Sequence, residues 1–534
     1  MKNLYKKNFM NKRNILIFLC DPSNFLKIFL ILIFSIIYLP HAFVLVNDLG
    51  LIIGYEVDPG SIIAAIESIL RSYNMHGAYH SKYYGWTYFS INYIILIPIK
   101  IFCSFFEIES KVYLYTAIRL ILFLIGLISL IAFYEILKKI FSSKILPFTG
   151  ALFYILSDVG YKFFYFLHPE TTGIMFIFFA LLYLLKFIDN PQNYKFYFYG
   201  LIFLVLASLS KQIFFFVSLP LLILFFHFYC IKERKKYINF LFSKKFSKTL
   251  GYTIVISISI LFIIHPYCIF DFHNFLKYQM ELTGFVSGDY VVSLDKLFGA
   301  WKYQFFSVPI IKLVFYLLPV SFIVSIIYYS KFKSDKATLY IVNSVSIILL
   351  SSLIIFGNRY FINISYAQPF YPFFIINLLS MIAFTKNINF KKIRVVKFVI
   401  IVLFVCFITF SLSRSVYYNI PKIFDRLSYE DSIAYVTYNY IKNNITSKDK
   451  VVYDHHVAFP STMENYGCHF WHGCGTDYID EYEPNYIIFY EDYKINGKKH
   501  AETERLKQYI KEKQIALVKE LHGKDITISV YKKL

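Results

Sequence analysis

The sequence predicts an all-α polytopic membrane protein of about eleven transmembrane helices with a small outward-facing α/β domain at its C-terminal end, and three observations predict it. Of 534 residues 57% are apolar and 17% charged, and the mean hydropathy is +0.53, more hydrocarbon than a soluble domain of this length can bury. Apolar runs of about 20 residues, enough to cross a bilayer as a helix, recur from position 25 to position 415. Third, the net charge of +21 is unevenly placed: residues 416–534 carry 16 Lys/Arg and 17 Asp/Glu, so the excess lies wholly on 1–415. There it sits in short loops, where positive charge sets orientation. A soluble enzyme, a β-barrel and a disordered binder are excluded. Nucleic acid is not an expected partner, because no soluble basic module exists to hold it.

The elements follow in order. Lys2, Lys6, Lys7, Lys12 and Arg13 precede the first span, Phe25 to Val46, which has no small-residue cleavage site at its end. It reads as an uncleaved signal anchor with the N-terminus inside. Further apolar segments lie at 86–106, 112–135, 145–165, 169–188, 197–210, 212–230, 249–267, 306–329, 338–356, 367–385 and 394–415. If 86–106 does not cross, the inward segments hold 25 Lys/Arg and the outward ones 9; if it crosses, most of that charge moves outside. The positive-inside rule therefore predicts eleven crossings, with 86–106 a juxtamembrane or re-entrant helix and the C-terminal region outside.

The chain thus divides into a basic cytoplasmic segment 1–24, a polytopic region 25–415 whose first outward loop, 47–111, carries juxtamembrane helices, and an outward α/β domain 416–534. In the last, patterning predicts helices near 429–444 and 501–513 and strands at 450–454, 485–490, 515–521 and 525–531. Residues Tyr466 to Cys474 form an unusual Cys/His-rich stretch.

Loop one contains Glu56-Val-Asp58-Pro59. Asp before Pro is a strong helix start, with Asp58 as N-cap. Ile62, Ile66, Ile69 and Tyr73 share a face, which predicts a helix lying on the membrane surface. His80-Ser-Lys82-Tyr83 follows, feeding the segment that the charge count keeps out of the bilayer. The loop places an acid and a base near the outer interface, and Asp58 reads either as a cap or as a catalytic carboxylate.

This arrangement resembles the first external loop of the GT-C glycosyltransferases, in particular the family-39-like aminoarabinose-transferase and protein O-mannosyltransferase type. The resemblance implies that Asp58 is the catalytic base and Lys82 the loop lysine. Two departures are visible: the family's Asp-Glu pair is here Asp58-Pro59, leaving Glu56 as a rival base, and Lys82 precedes Tyr83 rather than Pro. It also implies a second acid at the turn Phe166-Leu-His168-Pro169-Glu170, so His168 and Glu170 are candidates; the plainer reading of Glu170 is a carboxylate at a positive helix end. Asp158 and Lys162, spaced i, i+4, read as a local ion pair.

Cations on the outward side are few. Arg119 lies about a third of the way into its span, Lys211 in the turn Ser208 to Gln212, and Arg359 in Gly357 to Tyr360. Charge at such depth is costly and is a functional candidate or a snorkelling side chain. The resemblance implies a polyprenyl-phosphate sugar as donor, for whose phosphate Lys82, Arg119, Lys211 and Arg359 are candidates, a glycan, lipid or protein acceptor, and inversion at the anomeric carbon. Because the phosphate leaves readily, the site needs a base for the acceptor hydroxyl and positive charge for the departing group. His80 is a further candidate.

Other motifs assign less. Cys468 and Cys474 lie outward, where a disulfide can form; with His469 and His472 their spacing fits no standard zinc site, and the sequence assigns no metal. Asp454-His455-His456 ends a strand and reads as a polar loop. No Walker loop or dinucleotide fingerprint is present. The expected location is a bacterial inner or plasma membrane with site and C-terminal domain facing the periplasm or outside. The rival function is a transporter or flippase for a lipid-linked saccharide, which would show paired repeats and broken helices at mid-membrane.

Overall fold

The computed structural model describes residues 22–43, 57–72, 86–107, 110–157, 169–190, 193–211, 213–232, 244–264, 369–387, 432–446, 448–454, 457–460, 467–470, 482–491, 494–495, 498–499, 501–522 and 527–533, with isolated positions between them. The N-terminal helices are α1 (Pro22–Ala42), α2 (Val57–Ser72), α3 (Trp86–Phe105), α4 (Ser110–Ile140) and α5 (Ile145–Leu156). They are followed by α6 (Glu170–Asp189), α7 (Tyr194–Ser210), α8 (Ile213–Lys232), α9 (Lys244–Ile264) and α10 (Tyr371–Asn387). By length and composition, Asn24–Ala42, Trp86–Phe105, Tyr113–Ile140 and Glu170–Asp189 can each cross a membrane. The spans expected at 306–329 and 338–356, and most of 394–415, lie outside the described residues.

Two side-chain ties define one end of this bundle. Lys139 meets Asp189 at 2.9 Å, joining the C-termini of α4 and α6, and Lys27 meets Glu135 at 2.5 Å, bringing the start of α1 to that end. Lys138, Lys144, Lys186, Lys195 and Lys244 gather there too, by their positions at helix ends. At the opposite end lie the N-termini of α4 and α6 and the C-termini of α7 and α9. Two glycines let the helices approach: a Cβ at Gly126 of α4 would stand 2.8 Å from Phe164, and one at Gly150 of α5 would stand 2.6 Å from Leu379 of α10.

The structure corrects three expectations. The span expected at 145–165 is not one unbroken helix: it is helical over 145–156 and breaks at Ser157, which turns extended and whose hydroxyl accepts the N–H of Gly160 at 3.0 Å, while Gly160, Tyr161 and Phe164 beyond the break are helical again. The face of helix α2 read as resting on the membrane surface is covered by protein: Ile62, Ile63, Ala65, Ile66, Ile69 and Leu70 form one broad apolar face buried in the main cluster. The helix begins at Val57, so Asp58 stands inside the first turn rather than at the cap.

Helix α3 makes its polar contacts at one end of the bundle, the one opposite the lysines. Thr87 donates to the carbonyl of Leu206 in the last turn of α7 at 3.0 Å, and Ser90 to that of Ile264, the last residue of α9, at 3.3 Å. Towards its other terminus, Lys100 reaches the carbonyl of Leu70 in α2. Helix α2 in turn is tied to Tyr115, near the start of α4, through Glu67.

The C-terminal region comprises α11 (Ile433–Asn444), β1 (Val451–Asp454), β2 (Gly467–Phe470), β3 (Tyr486–Tyr490), β4 (Lys494–Ile495), β5 (Lys498–Lys499), α12 (Ala501–Glu512), β6 (Ala516–His522) and β7 (Thr527–Lys532). The five-stranded sheet has the order β2-β1-β3-β7-β6, with β1 parallel to both neighbours and β7 antiparallel to β3 and β6. Alternation sorts its faces. Val451, Tyr486, Ile488 and Tyr490 pack with Ile441 of α11, whereas Val452, Ile487 and Phe489 pack with Leu506 and Ile510 of α12. Ala434 and Tyr438 of α11, with Ala458 after β1, belong to the apolar cluster of the membrane helices. Beyond β3, Glu491 is paired with Lys507 and accepts from the Tyr531 hydroxyl at 3.0 Å. Burial alone would raise its carboxyl, but Lys507 and Tyr531 outweigh that and hold it below the usual carboxylate range.

Candidate functional site

The end of the bundle opposite the lysines carries two polar groups, one at each end of α3. The first is built where α6 starts and α7 stops. Pro169 occupies the cap position with helical dihedrals, and its carbonyl accepts the N–H groups of Thr172 and Gly173, both at 3.1 Å. Glu170 is thereby fixed as the first helical residue, 1% exposed, where helix polarity favours a carboxylate.

Lys211 follows α7 in extended conformation, with φ −163° and ψ 142°, which swings its side chain out of the helical path. Its ammonium forms an ion pair with Glu170. The turn is stitched by hydroxyls: Ser208 and Ser218 lie 3.1 Å apart across it, and Ser210 donates to Leu206 at 2.9 Å. The same Leu206 carbonyl takes Thr87, so the start of α3 lies about one turn from Lys211. A Cβ at Gly173 would stand 2.2 Å from the Phe214 ring. Only glycine lets α8 come this close to α6, one turn beyond Glu170 and Lys211.

The second group joins α2, α3 and α4. Tyr115 donates to Glu67 Oε1 at 2.5 Å, Arg71 lies 3.8 Å from the same carboxylate, and Lys100 takes the Leu70 carbonyl. Arg119 stands one turn deeper than Tyr115 on the same face of α4. It is partly buried and has no hydrogen-bond or ion-pair partner among the described residues.

Of the expected site residues, Glu170 and Lys211 are brought together and Arg119 is placed at the same end. Asp58 is placed by its backbone alone, in the first turn of α2. Glu56, His80, Lys82, His168 and Arg359 lie outside the described residues, as do Asp158 and Lys162. Glu67, Lys100 and Tyr115 escaped sequence reasoning. The only signal for them was the i, i+4 spacing of Glu67 and Arg71, which by itself describes an ordinary helix surface. No group of three or more His, Cys, Asp or Glu suited to a metal ion occurs among the described residues. Cys468 and His469 lie in β2; His472 and Cys474 fall outside the described residues.

Residues 101–265 match the model of a family described as dolichyl-phosphate-mannose-protein mannosyltransferase, a little under a third of the chain. The match runs over α4 to α9 and includes Arg119, Glu170 and Lys211; Asp58, Lys82 and Arg359 lie outside it. No curated protein matches the chain significantly. Among solved structures, the chain is similar to the apo crystal structure of ArnT from Cupriavidus metallidurans. That similarity has 9% identity over 84% of this chain and 87% of that one, with a TM-score of 0.48. It is similar also to the apo oligosaccharyltransferase of Archaeoglobus fulgidus, with 12% identity over 88% of this chain and 69% of that one and a TM-score of 0.43. The likeness read from loop one and the family match over α4 to α9 rest on different residues and name the same type of protein, a GT-C membrane glycosyltransferase.

Proposed function

We propose that this membrane glycosyltransferase of GT-C type transfers a sugar from a polyprenyl-phosphate carrier to an acceptor hydroxyl on the outer side of the membrane, with inversion. The observation that carries the reading is the Lys211–Glu170 pair: a buried carboxylate and a half-buried cation at the end of the bundle away from the lysines, inside the segment that matches a mannosyltransferase family. With the lysine-rich end taken as cytoplasmic, the pair, Arg119, α2 and α3 all lie outside. Helix α3 then lies along the outer face rather than crossing, in keeping with the eleven-crossing topology expected from the charge distribution.

In this reading Asp58 is the base. Its place in the first turn of α2 favours the ionised form, as a base must be. Measured from the shared tie of Lys100 to Leu70, Asp58 lies twelve residues back along α2 and Thr87 thirteen residues back along α3, about 18 and 20 Å. These similar offsets bring Asp58 towards the end of α3 that adjoins Lys211 if the two helices run side by side in the same direction. Lys211, Arg119, Arg359 and Lys82 are the cations for the phosphate. Charge develops on the phosphate as the glycosidic bond breaks, and cations fixed where water is scarce stabilise it more than solvent would. Glu170 holds Lys211 in place, and His168 and His80 remain further candidates. The acceptor, whether glycan, lipid or protein, meets the site from the outer side, where the C-terminal domain lies in this topology.

The test is transfer by the purified full-length protein. Incubated with polyprenyl-phosphate sugars, it releases polyprenyl phosphate and yields a glycosylated acceptor. Mass spectrometry of glycolipids and envelope glycans with and without the gene identifies the sugar. Movement of a lipid-linked saccharide across vesicles with no glycosidic bond broken would replace this reading with that of a flippase.

A further inference from the structure

The buried side of α2 is nearly uniform. Ile62, Ile66 and Leu70 recur at four-residue intervals, with Ile63, Ile69 and Ala65 beside them, all within the main cluster. Sliding such a helix by one turn along its neighbour exchanges Ile for Ile and Ile for Leu, so apolar packing specifies its register weakly. A single polar contact in an apolar seam specifies it strongly, because the wrong register leaves polar groups buried without partners. Glu67 makes that contact: its carboxylate, 14% exposed, accepts from Tyr115, which is 2% exposed, at 2.5 Å. Lys100 adds a second tie at the Leu70 carbonyl, three residues further on. Arg71 is 79% exposed and adds little.

We propose that the Glu67–Tyr115 hydrogen bond to α4, with the Lys100–Leu70 tie to α3 beside it, is a positioning clasp that fixes the register of α2 against these two helices. The inference rests on the functional reading above in one respect: α2 carries Asp58 and α4 carries Arg119, so the clasp sets the separation of base and phosphate-binding cation. Glu67 lies nine residues from Asp58, about 14 Å along the helix, and Tyr115 four residues from Arg119, about 6 Å. Neither therefore touches the reacting atoms if those lie at Asp58. A slip of one turn would carry Asp58 about 5.4 Å, and a misplacement of about 1 Å can already cost roughly 100-fold in rate.

The test uses the full-length protein in lipid nanodiscs with three variants. Tyr115→Phe and Glu67→Ala each lower kcat about 10-fold to 100-fold while the KM for the lipid donor stays within about twofold. Glu67→Gln, which keeps a carbonyl for Tyr115 to donate to, restores most of the rate. Tyr115→Phe combined with Glu67→Ala is no worse than the poorer single variant, as expected of two ends of one contact. Amide hydrogen exchange over residues 57–66 rises in Tyr115→Phe while that over α6 is unchanged. A loss confined to KM, additive losses, or unchanged exchange in α2 would overturn the clasp. If the unaltered protein transfers sugar from no polyprenyl-phosphate donor, the functional reading fails and the exchange comparison alone decides the clasp.

Discussion

The ammonium of Lys211 is joined to the buried carboxylate of Glu170, 41 residues earlier in the chain, and Gly173 is what lets them meet. With no side chain at that position, α8 packs its Phe214 ring directly on the α6 backbone, drawing the turn that holds Lys211 onto the first residue of α6. Gly173→Ala is therefore expected to destabilise the protein by about 1–3 kcal/mol. Thermal unfolding in detergent measures this, and Phe214→Leu in the same background recovers part of the loss.

The pair itself gives a sharper expectation. Breaking a buried pair from one side leaves an uncompensated charge and costs about 3–5 kcal/mol, whereas replacing both partners by apolar groups is often neutral. Lys211→Met alone should unfold early, and Lys211→Met with Glu170→Leu should regain stability without regaining transfer. Recovery of transfer by the double variant would remove both residues from the site.

Asp58→Asn retains the size of the side chain and its capacity to accept a hydrogen bond near a helix N-terminus, but not basicity. Transfer should fall about 10²–10⁴-fold with folding and donor binding unchanged, Glu56→Gln being milder and Glu170→Gln intermediate. Near-normal transfer by Asp58→Asn, with Glu56→Gln inactive, moves the base two residues upstream.

Arg119 offers the cleanest test of donor binding, since among the described residues it has no partner whose loss would confuse the result. Arg119→Ala should weaken affinity for a polyprenyl-phosphate sugar with little change in melting temperature. The same titration on Arg359→Ala and Lys82→Ala assigns the remaining cations. Unaltered affinity in all three would place the phosphate at Lys211 or elsewhere.

In the C-terminal region the expectation concerns pH. The Glu491 carboxyl titrates below its ordinary value of 4.5 in the folded protein, so the unfolded chain binds its proton first as pH falls. Its contribution to stability is complete above pH 4.5 and is lost as pH drops through the lowered folded value. Exchange protection of β7 should fall over that acid window, and Glu491→Gln should flatten the dependence. A rise in protection on acidification would contradict the sign.

How much of this was legible in the sequence differs by feature. Glu170, Lys211 and Arg119 stand out singly because charge is rare among apolar runs, yet the Glu170–Lys211 contact depends on a close approach at Gly173 that no local pattern announces. The clasp was hidden for the opposite reason, as Glu67 and Arg71 look like any exposed pair on a helix and Tyr115 like any aromatic in a span. Strand β2 escaped because Gly-Cys-His-Phe offers little β-propensity; it forms through its pairing with β1. The break that ends α5 went unread because the apolar run continues past Ser157, whose hydroxyl turns the backbone locally.

The docking of α3 bears on how the protein is made. The carbonyls that receive Thr87 and Ser90 arrive 119 and 174 residues later in the chain. An insertion machinery reading the nascent chain thus meets a 20-residue apolar helix with its tie to α2 already made but without the two carbonyls that receive its N-terminal end. In the proposed topology, biogenesis passes through a state whose orientation differs from the finished one. A reporter enzyme fused at residue 107 of a truncated chain should then mark that site as cytoplasmic, whereas a cysteine at the same residue in the complete protein should react with a membrane-impermeant maleimide from outside.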